Sequence, residues 1–396
     1  MSSRRRRARS PAVTPLDDDD LLCEILLRVP PQPSSLPRAS AVCKRWRRLV
    51  SDPAFCRRFR LRHRRNPPLL GFFDKYGGYF EPTLEAPNRI PPGRFSLQLD
   101  DHDDCSLFLG CRHGLFLILL SKPRKVVVWD PITGDKHHIA VPAAFDLEKI
   151  QGLVNGAVLR PAGEDQHFQV VLAAVAGDDI QHVRALTCVY SSKTGLWGNL
   201  ISMPLPYEAN GGQGPHGIRV PTMVFTDEAV MAGDSLYWKL VGNLFGILEF
   251  DLGKQRLAVI QVPMDMYGRG ECLKMMRAEG GGLGCLVVSN CAAQLWKRTT
   301  DCEGLASWGL ARTIELDKLL SLNSQGSLSV LGIAEENNVV FVWTMIGLFM
   351  IHLESLKFKN LCKTNIISYY LPFESVYTAE IRAGGGQDGA DILLDT

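Results

Sequence analysis

Long uninterrupted apolar stretches are missing from this chain. The longest, Val339–Leu353, holds Thr344, Gly347 and His352 and is too short to cross a bilayer. The start, MSSRRRRARS, has charge but no apolar core after it, so it does not read as a secretory signal peptide. No Asn-x-Ser/Thr sequon occurs, and none of the 11 cysteines form a Cys-x-x-Cys pair. An odd number of thiols, several inside apolar runs, predicts reduced and mostly packed cysteines. The expectation is a protein of the cytoplasm, the nucleus or both, without a membrane span.

A strong net charge is missing too, at only +2 over 396 residues. The balance is lopsided: residues 1–65 hold 17 Lys+Arg against 6 Asp+Glu, so +11, which leaves 2 − 11 = −9 for the rest. A basic head on a mildly acidic body does not fit an evenly basic nucleic-acid binder. The arginines of Arg57–Pro68 lack the interleaved aromatics that single-strand binding needs, so no nucleic acid is expected as a partner.

What is present is a dense N-terminal stretch, Leu16–Phe59. Four aspartates, Asp17–Asp20, stand where a first helix begins, suited to free backbone N–H groups and the helix dipole. Leu21, Leu22, Ile25, Leu26 and Val29 form one stripe, and Pro30 ends it. Leu36, Ala39, Val42, Cys43, Trp46 and Leu49 repeat at helical spacing, which predicts a second helix capped by Ser34 or Ser35. Asp52-Pro53 opens a third, with Phe55 and Phe59 one turn apart. Three such short helices carry more apolar surface than they can bury among themselves.

This stretch resembles the F-box, the module that binds a Skp-type adaptor in cullin-based ubiquitin ligases. The match runs through Leu21-Leu22-x-Glu24-Ile25-Leu26-x-Arg28-Val29-Pro30, then Leu36, Arg38, Val42-Cys43-Lys44-x-Trp46-Arg47-x-Leu49 and Asp52-Pro53-x-Phe55. One departure is that Leu16 is followed by four aspartates, where many members have Leu-Pro shortly before the Leu-Leu pair. The resemblance implies an adaptor-binding face made of Leu16, Leu21, Leu22, Ile25, Leu26, Val29, Pro30, Leu36, Ala39, Val42, Cys43, Trp46 and Leu49.

From Leu69 the texture changes to short β-branched and aromatic runs between Gly, Pro, Asn and Asp turns, such as GLFLILL, FQVVLAAV, SLYWKL and VVFVWT. Three copies of one unit stand out: Val128-Trp129-Asp130-Pro131-Ile132-Thr133-Gly134, Val189-Tyr190-Ser191-Ser192-Lys193-Thr194-Gly195 and Glu249-Phe250-Asp251-Leu252-Gly253-Lys254. Their aromatics lie 61 and 60 residues apart, and each is followed 13 or 14 residues later by a proline. Strand, tight turn, strand, with a further strand pair upstream, is the content of a propeller blade. The expected fold is a small all-α three-helix F-box followed by an all-β, kelch-like propeller of about six blades; another all-β repeat architecture is the alternative. The expected divisions are a disordered basic tail (1–14), the F-box (15–65), the β domain (66–382) and a flexible tail (383–396). Terminal strands should share one blade, with Tyr377–Ile381 as the closing strand. Gly110-Cys111-Arg112-His113-Gly114-Leu115, Trp129-Asp130-Pro131-x-Thr133-Gly134, Leu236-Tyr237-Trp238 and Leu295-Trp296-Lys297-Arg298 also resemble the plant-type F-box-associated domain.

Other motifs carry little. Gly233-Asp234-Ser235-Leu236 spells an esterase signature, but it sits mid-chain before a strand, as a hairpin turn would. Gly280–Gly282 and Gly384–Gly386 lack a following Lys-Ser/Thr, and His137-His138 lacks spaced metal partners. No catalytic residue, metal or cofactor is expected. The resemblance implies a substrate-recruiting subunit of an SCF-type (Skp-cullin-F-box) E3 ligase, reaching a cullin through the adaptor and holding an unidentified target protein on the β domain. The alternative is a propeller acting as an enzyme or small-ligand sensor, with a regulatory N-terminal module.

Overall fold

The computed structural model describes residues 18–97, 106–120, 124–145, 150, 152–161, 167–177, 179–208, 220–263, 266, 272–289, 291–300, 305–322, 328–362 and 368–378. The basic tail 1–14, Leu16, Asp17 and the tail 383–396 lie outside them. Two compact units form: a helical unit from 18–65, Glu85–Asn88 and 376–378, and a β unit from Asn66–Leu84 and Arg89–Ser375.

In the helical unit, α1 (Asp19–Leu26) opens on Asp18, whose Oδ1 accepts from the N–H groups of Asp20 and Leu21 at 2.8 and 3.2 Å. Asp19 and Asp20 fill its first turn, where the dipole favours carboxylates. The expected second helix is in fact two. α2 (Ser35–Val42) and α3 (Lys44–Val50) are separated by Cys43, fully extended at φ −165° and ψ 169°. One non-helical residue leaves the apolar period of Leu36–Leu49 looking continuous, so periodicity alone hides the break. Neither Ser34 nor Ser35 caps α2 through its side chain; the Ser34 N–H donates instead to Asn88 Oδ1 at 3.1 Å. α4 (Pro53–His63) begins as expected, with Asp52 Oδ1 accepting from the Ala54 N–H at 2.8 Å. Leu22, Leu26, Leu27, Leu36, Ala39, Val50, Phe55 and Phe59 form the core, joined by Val376.

The β unit is a six-bladed propeller. It starts with β1 (Leu69–Asp74) and β2 (Phe80–Pro82), followed by five four-stranded or five-stranded antiparallel sheets. The first is β3 (Ser106–Arg112), β4 (Leu115–Leu120), β5 (Lys125–Trp129) and β6 (Lys136–Ala140). Next come β7 (Asn155–Leu159), β8 (Gln169–Ala176), β9 (Arg184–Ser191), β10 (Leu196–Trp197) and β11 (Ile201–Pro204). The third holds β12 (Met223–Val224), β13 (Val230–Ala232), β14 (Ser235–Val241), β15 (Gly246–Asp251) and β16 (Arg256–Gln261). The fourth holds β17 (Cys272–Arg277), β18 (Leu283–Ser289), β19 (Ala292–Thr300) and β20 (Ala306–Glu315); the helix α5 (Leu316–Leu320) follows it. The fifth holds β21 (Leu328–Ala334), β22 (Val339–Thr344), β23 (Gly347–His352) and β24 (Phe358–Cys362). Finally β25 (Tyr370–Glu374) pairs with β1, Asp74 opposite Tyr370 and Leu69 opposite Glu374, so first and last strands share a blade.

The closing strand is therefore β25, earlier than the expected Tyr377–Ile381. Leu371 and Phe373 are buried, and Phe373 packs into a knot with Phe73, Phe80, Phe95 and Phe116. Both stretches alternate apolar side chains and both hold buried residues; backbone pairing with β1 chooses. Tyr377 and Thr378 belong to the helical unit, which moves the expected boundary at 382 back to Ser375, and Ala379–Ile381 lie outside the described residues.

Middle strands are buried on both faces, which is why they read as unbroken apolar runs. Along β8, Val170, Leu172 and Ala174 pack toward the blade before, and Val171, Ala173 and Val175 toward the blade after. The three-copy repeat is the turn joining third and fourth strands. Gly134 N–H donates to Asp130 O and Gly195 N–H to Ser191 O, at 2.8 and 2.9 Å, with both glycines at positive φ. In the third copy the left-handed position is Gln255 rather than Gly253, and the same place in the fifth blade is Leu356.

Candidate functional site

The helical unit presents two faces of one short helix. On α1, Leu22 and Leu26 are turned into the core, while Leu21 (50% exposed) and Ile25 (43%) face solvent. Val42, at the end of α2, is 61% exposed, and the extended Cys43 next to it in sequence and Pro30 after α1 are exposed too. Val29, Trp46 and Leu49 are half-buried against the core. Of the predicted set, Leu22, Leu26, Leu36 and Ala39 are core residues, so their side chains are spent on this chain's own packing; Leu16 is outside the described residues.

Charges pin α1 from outside the core. Arg45 Nε meets Asp19 Oδ1 at 2.6 Å, and Glu24 is shared by Arg28 and Arg58. The His63 ring donates from Nε2 to Leu27 O at 2.9 Å, and burial holds its pKa below the ordinary value, so α4 ties down the end of α1 with a neutral imidazole. Spacing along the chain carries no sign of these partners, because they come from helices that meet only after folding.

The propeller channel carries a second cluster, which sequence reading missed. Arg112 Nη1 meets Glu335 Oε2 at 3.0 Å and its Nη2 donates to Ala229 O at 3.1 Å. Arg277 meets Glu336 at 3.0 Å, and Glu374 accepts from the backbone and side-chain N–H groups of Asn337 at 2.8 Å each. Lys274 pairs with Asp227 and lies 4.7 Å over the Tyr369 ring; Lys75 donates to Thr226 O; Glu228 Oε2 accepts from the Cys111 N–H at 3.2 Å. These residues leave the ends of strands or the turns beside them, so the pairs join different blades, neighbouring ones in Arg277–Glu336 and Lys274–Asp227 and non-consecutive ones in Lys75–Thr226. Desolvation raises the Glu228 pKa to about 7 against the pull of Lys75, the Cys111 N–H and Arg112, and raises Glu374 to about 7 against its Asn337 and Glu336 donors. Burial also pushes the Cys111 thiol well above its ordinary value, which makes it a poor nucleophile. The cluster is convergent, but these carboxylates face cations or amides of other blades, as a fastener would.

The remaining sequence candidates fall into structural places. Gly233, at positive φ, turns β13 into β14, and Ser235 begins that strand. His137 and His138 lie on the exposed outer strand β6. Trp129, Trp238 and Trp343 are buried between blades, and Tyr190, Trp296 and Trp308 flank the blade clusters at their margins. Among the described residues, no group of three or more His, Cys, Asp or Glu could hold a metal ion.

A helical module of this kind followed by a six-bladed propeller is the architecture of an F-box protein with a propeller domain. Residues 18–58 match the F-box domain, and residues 108–374 match the family described as F-box protein AT5G49610-like, beta-propeller. The chain belongs to that family. Among curated relatives from Arabidopsis thaliana, it is similar to "F-box protein At5g07610", 24% identical over 290 residues covering 66% of this chain and 61% of that one. It is also similar to "Putative F-box protein At3g16210", 24% identical over 190 residues, 48% of each chain. The chain thus spans about half to three-fifths of the length of these relatives. Among solved structures, the WD40 domain of SCAP from fission yeast is matched over 70% of this chain and 58% of its own, with 10% identity and a TM-score of 0.34.

Proposed function

We propose that this protein is the target-recruiting subunit of an SCF-type E3 ubiquitin ligase, working in the cytoplasm or nucleus. Its F-box binds a Skp-type adaptor, which links it to a cullin, and its propeller holds the target protein. Ubiquitin transfer belongs to the partner enzyme, so the chain needs no nucleophile of its own. The observation that carries this reading is the division of α1 into a buried face and an apolar face open to solvent. Burying such leucine and isoleucine surface contributes about 25 cal/mol per Å² before association costs. The contact set supported by exposure is Leu21, Ile25, Pro30, Val42 and Cys43, with Val29, Trp46 and Leu49 at its margin.

The test is Ile25→Asp in the full chain. A central apolar contact replaced by a charge costs about 2 kcal/mol or more, roughly 30-fold in affinity. The variant should fold normally and fail to co-purify with a Skp-type adaptor; undiminished co-purification sinks the reading. Leu22→Asp cannot serve, because Leu22 is fully buried and a charge there breaks the helical core itself.

A further inference from the structure

The helical unit is not built from the N-terminal stretch alone. Val376, which follows the last propeller strand by two residues, is buried in the same core as Leu22, Leu26, Phe55 and Phe59. Thr378, also buried, accepts a hydrogen bond at Oγ1 from Arg60 Nη1 of α4 at 3.0 Å. Asn88, from the segment after β2, takes the Ser34 N–H at the start of α2, where no side-chain cap exists. Three separated pieces of chain therefore make up one unit, and two of them supply its core.

α1 is only eight residues long, too short to hold helical structure without packing. Its outward residues Leu21 and Ile25 stand where its inward residues Leu22 and Leu26 are held. We propose that Val376–Thr378 is a positioning element of the adaptor-binding face: the chain leaving the propeller completes the core that sets α1, and adaptor affinity depends on it. This rests on the adaptor reading above. It implies that an F-box cut out as residues 18–65 lacks part of its own interior, and that a receptor truncated after its last blade is impaired in adaptor binding although its F-box sequence is intact.

The test uses the full chain with Val376→Asp, Val376→Ala and Val376→Ile, read by amide hydrogen exchange and by the dissociation constant for a purified Skp-type adaptor. In Val376→Asp, exchange across 19–26 and 53–63 should rise at least tenfold while 169–191 keeps its wild-type protection, and the dissociation constant should rise at least tenfold. Val376→Ala should show the same pattern a few-fold, and Val376→Ile should retain wild-type values. Wild-type exchange and affinity in Val376→Asp overturn the proposal. So does a rise spread equally over helices and propeller, which makes Val376 a general stability residue. If Val376→Asp does not fold, Val376→Ala decides by the same two readouts. Failure of the wild-type chain to bind the adaptor removes the ligase reading, and the proposal about affinity with it, while exchange in 19–26 still decides whether Val376 holds α1.

Discussion

Leu21 and Leu22 are neighbours of identical chemistry with opposite fates: one is half exposed, the other has no accessible surface. A stripe in the sequence names both, and only packing separates the contact from its support. The same holds at the blade turns. Gly253 looks like the turn glycine of its repeat, yet the left-handed residue is Gln255, four positions after Asp251, as Gly134 is after Asp130. A side chain in that conformation costs roughly 1–2 kcal/mol. Gln255→Gly is therefore expected to stabilise the propeller by about 0.5–1 kcal/mol, part of the relief being offset by the freer unfolded chain. Gly134→Ala, at φ 81° with open space around the new Cβ, should destabilise by about 1 kcal/mol through backbone strain alone. Urea midpoints of the two variants check both; a stabilising Gly134→Ala would show that the turn relaxes.

At the level of elements, start signals read well where the side chain at issue bonds its own helix. Asp18 and Asp52 cap α1 and α4 as their sequence predicts. Asp52→Ala should cost about 1 kcal/mol, seen as faster amide exchange confined to 53–63; an unchanged rate there would mean the cap is idle. α2 starts after Ser34, where the sequence places it, but without the expected side-chain cap: the Ser34 N–H goes to Asn88, and the helix end is set by one extended residue that periodicity does not register. Strands were legible as apolar runs, while their faces were not. A run such as Val170–Val175 is equally compatible with one covered side or two, and the choice is made by having a blade on each side.

For the molecule as a whole, closure of the ring depends on β1 meeting β25 and on ion pairs that bridge blades. The buried carboxyls there give stability a pH dependence with a definite sign. Glu228 and Glu374 ionise near pH 7 in the folded state and near 4.5 when solvated, so between those values the folded chain holds protons that the unfolded chain has released. Their contribution is complete below about pH 4.5 and is lost as pH rises through about 7. Lys75, whose pKa burial lowers, acts in the opposite sense in the alkaline range. The propeller's urea midpoint should thus fall between about pH 4.5 and 7 and level off above, and Glu228→Gln should flatten the fall; a variant with the wild-type slope would discount Glu228 as its source.

Local chemistry is enough to set the class of each half: amphipathic helices, two of them opened by aspartate caps, then strand–turn–strand units at a 60-residue spacing, because helical period, capping chemistry and turn chemistry are local properties. It also confined the candidate interface to residues between Leu16 and Leu49. Tertiary structure decided which of those residues are free, where the ring closes, which charges meet in the channel and that Val376 belongs to the helices. Each of these joins residues distant in the chain, and such pairing is selected by burial and desolvation across the whole fold, quantities that no short window of sequence contains.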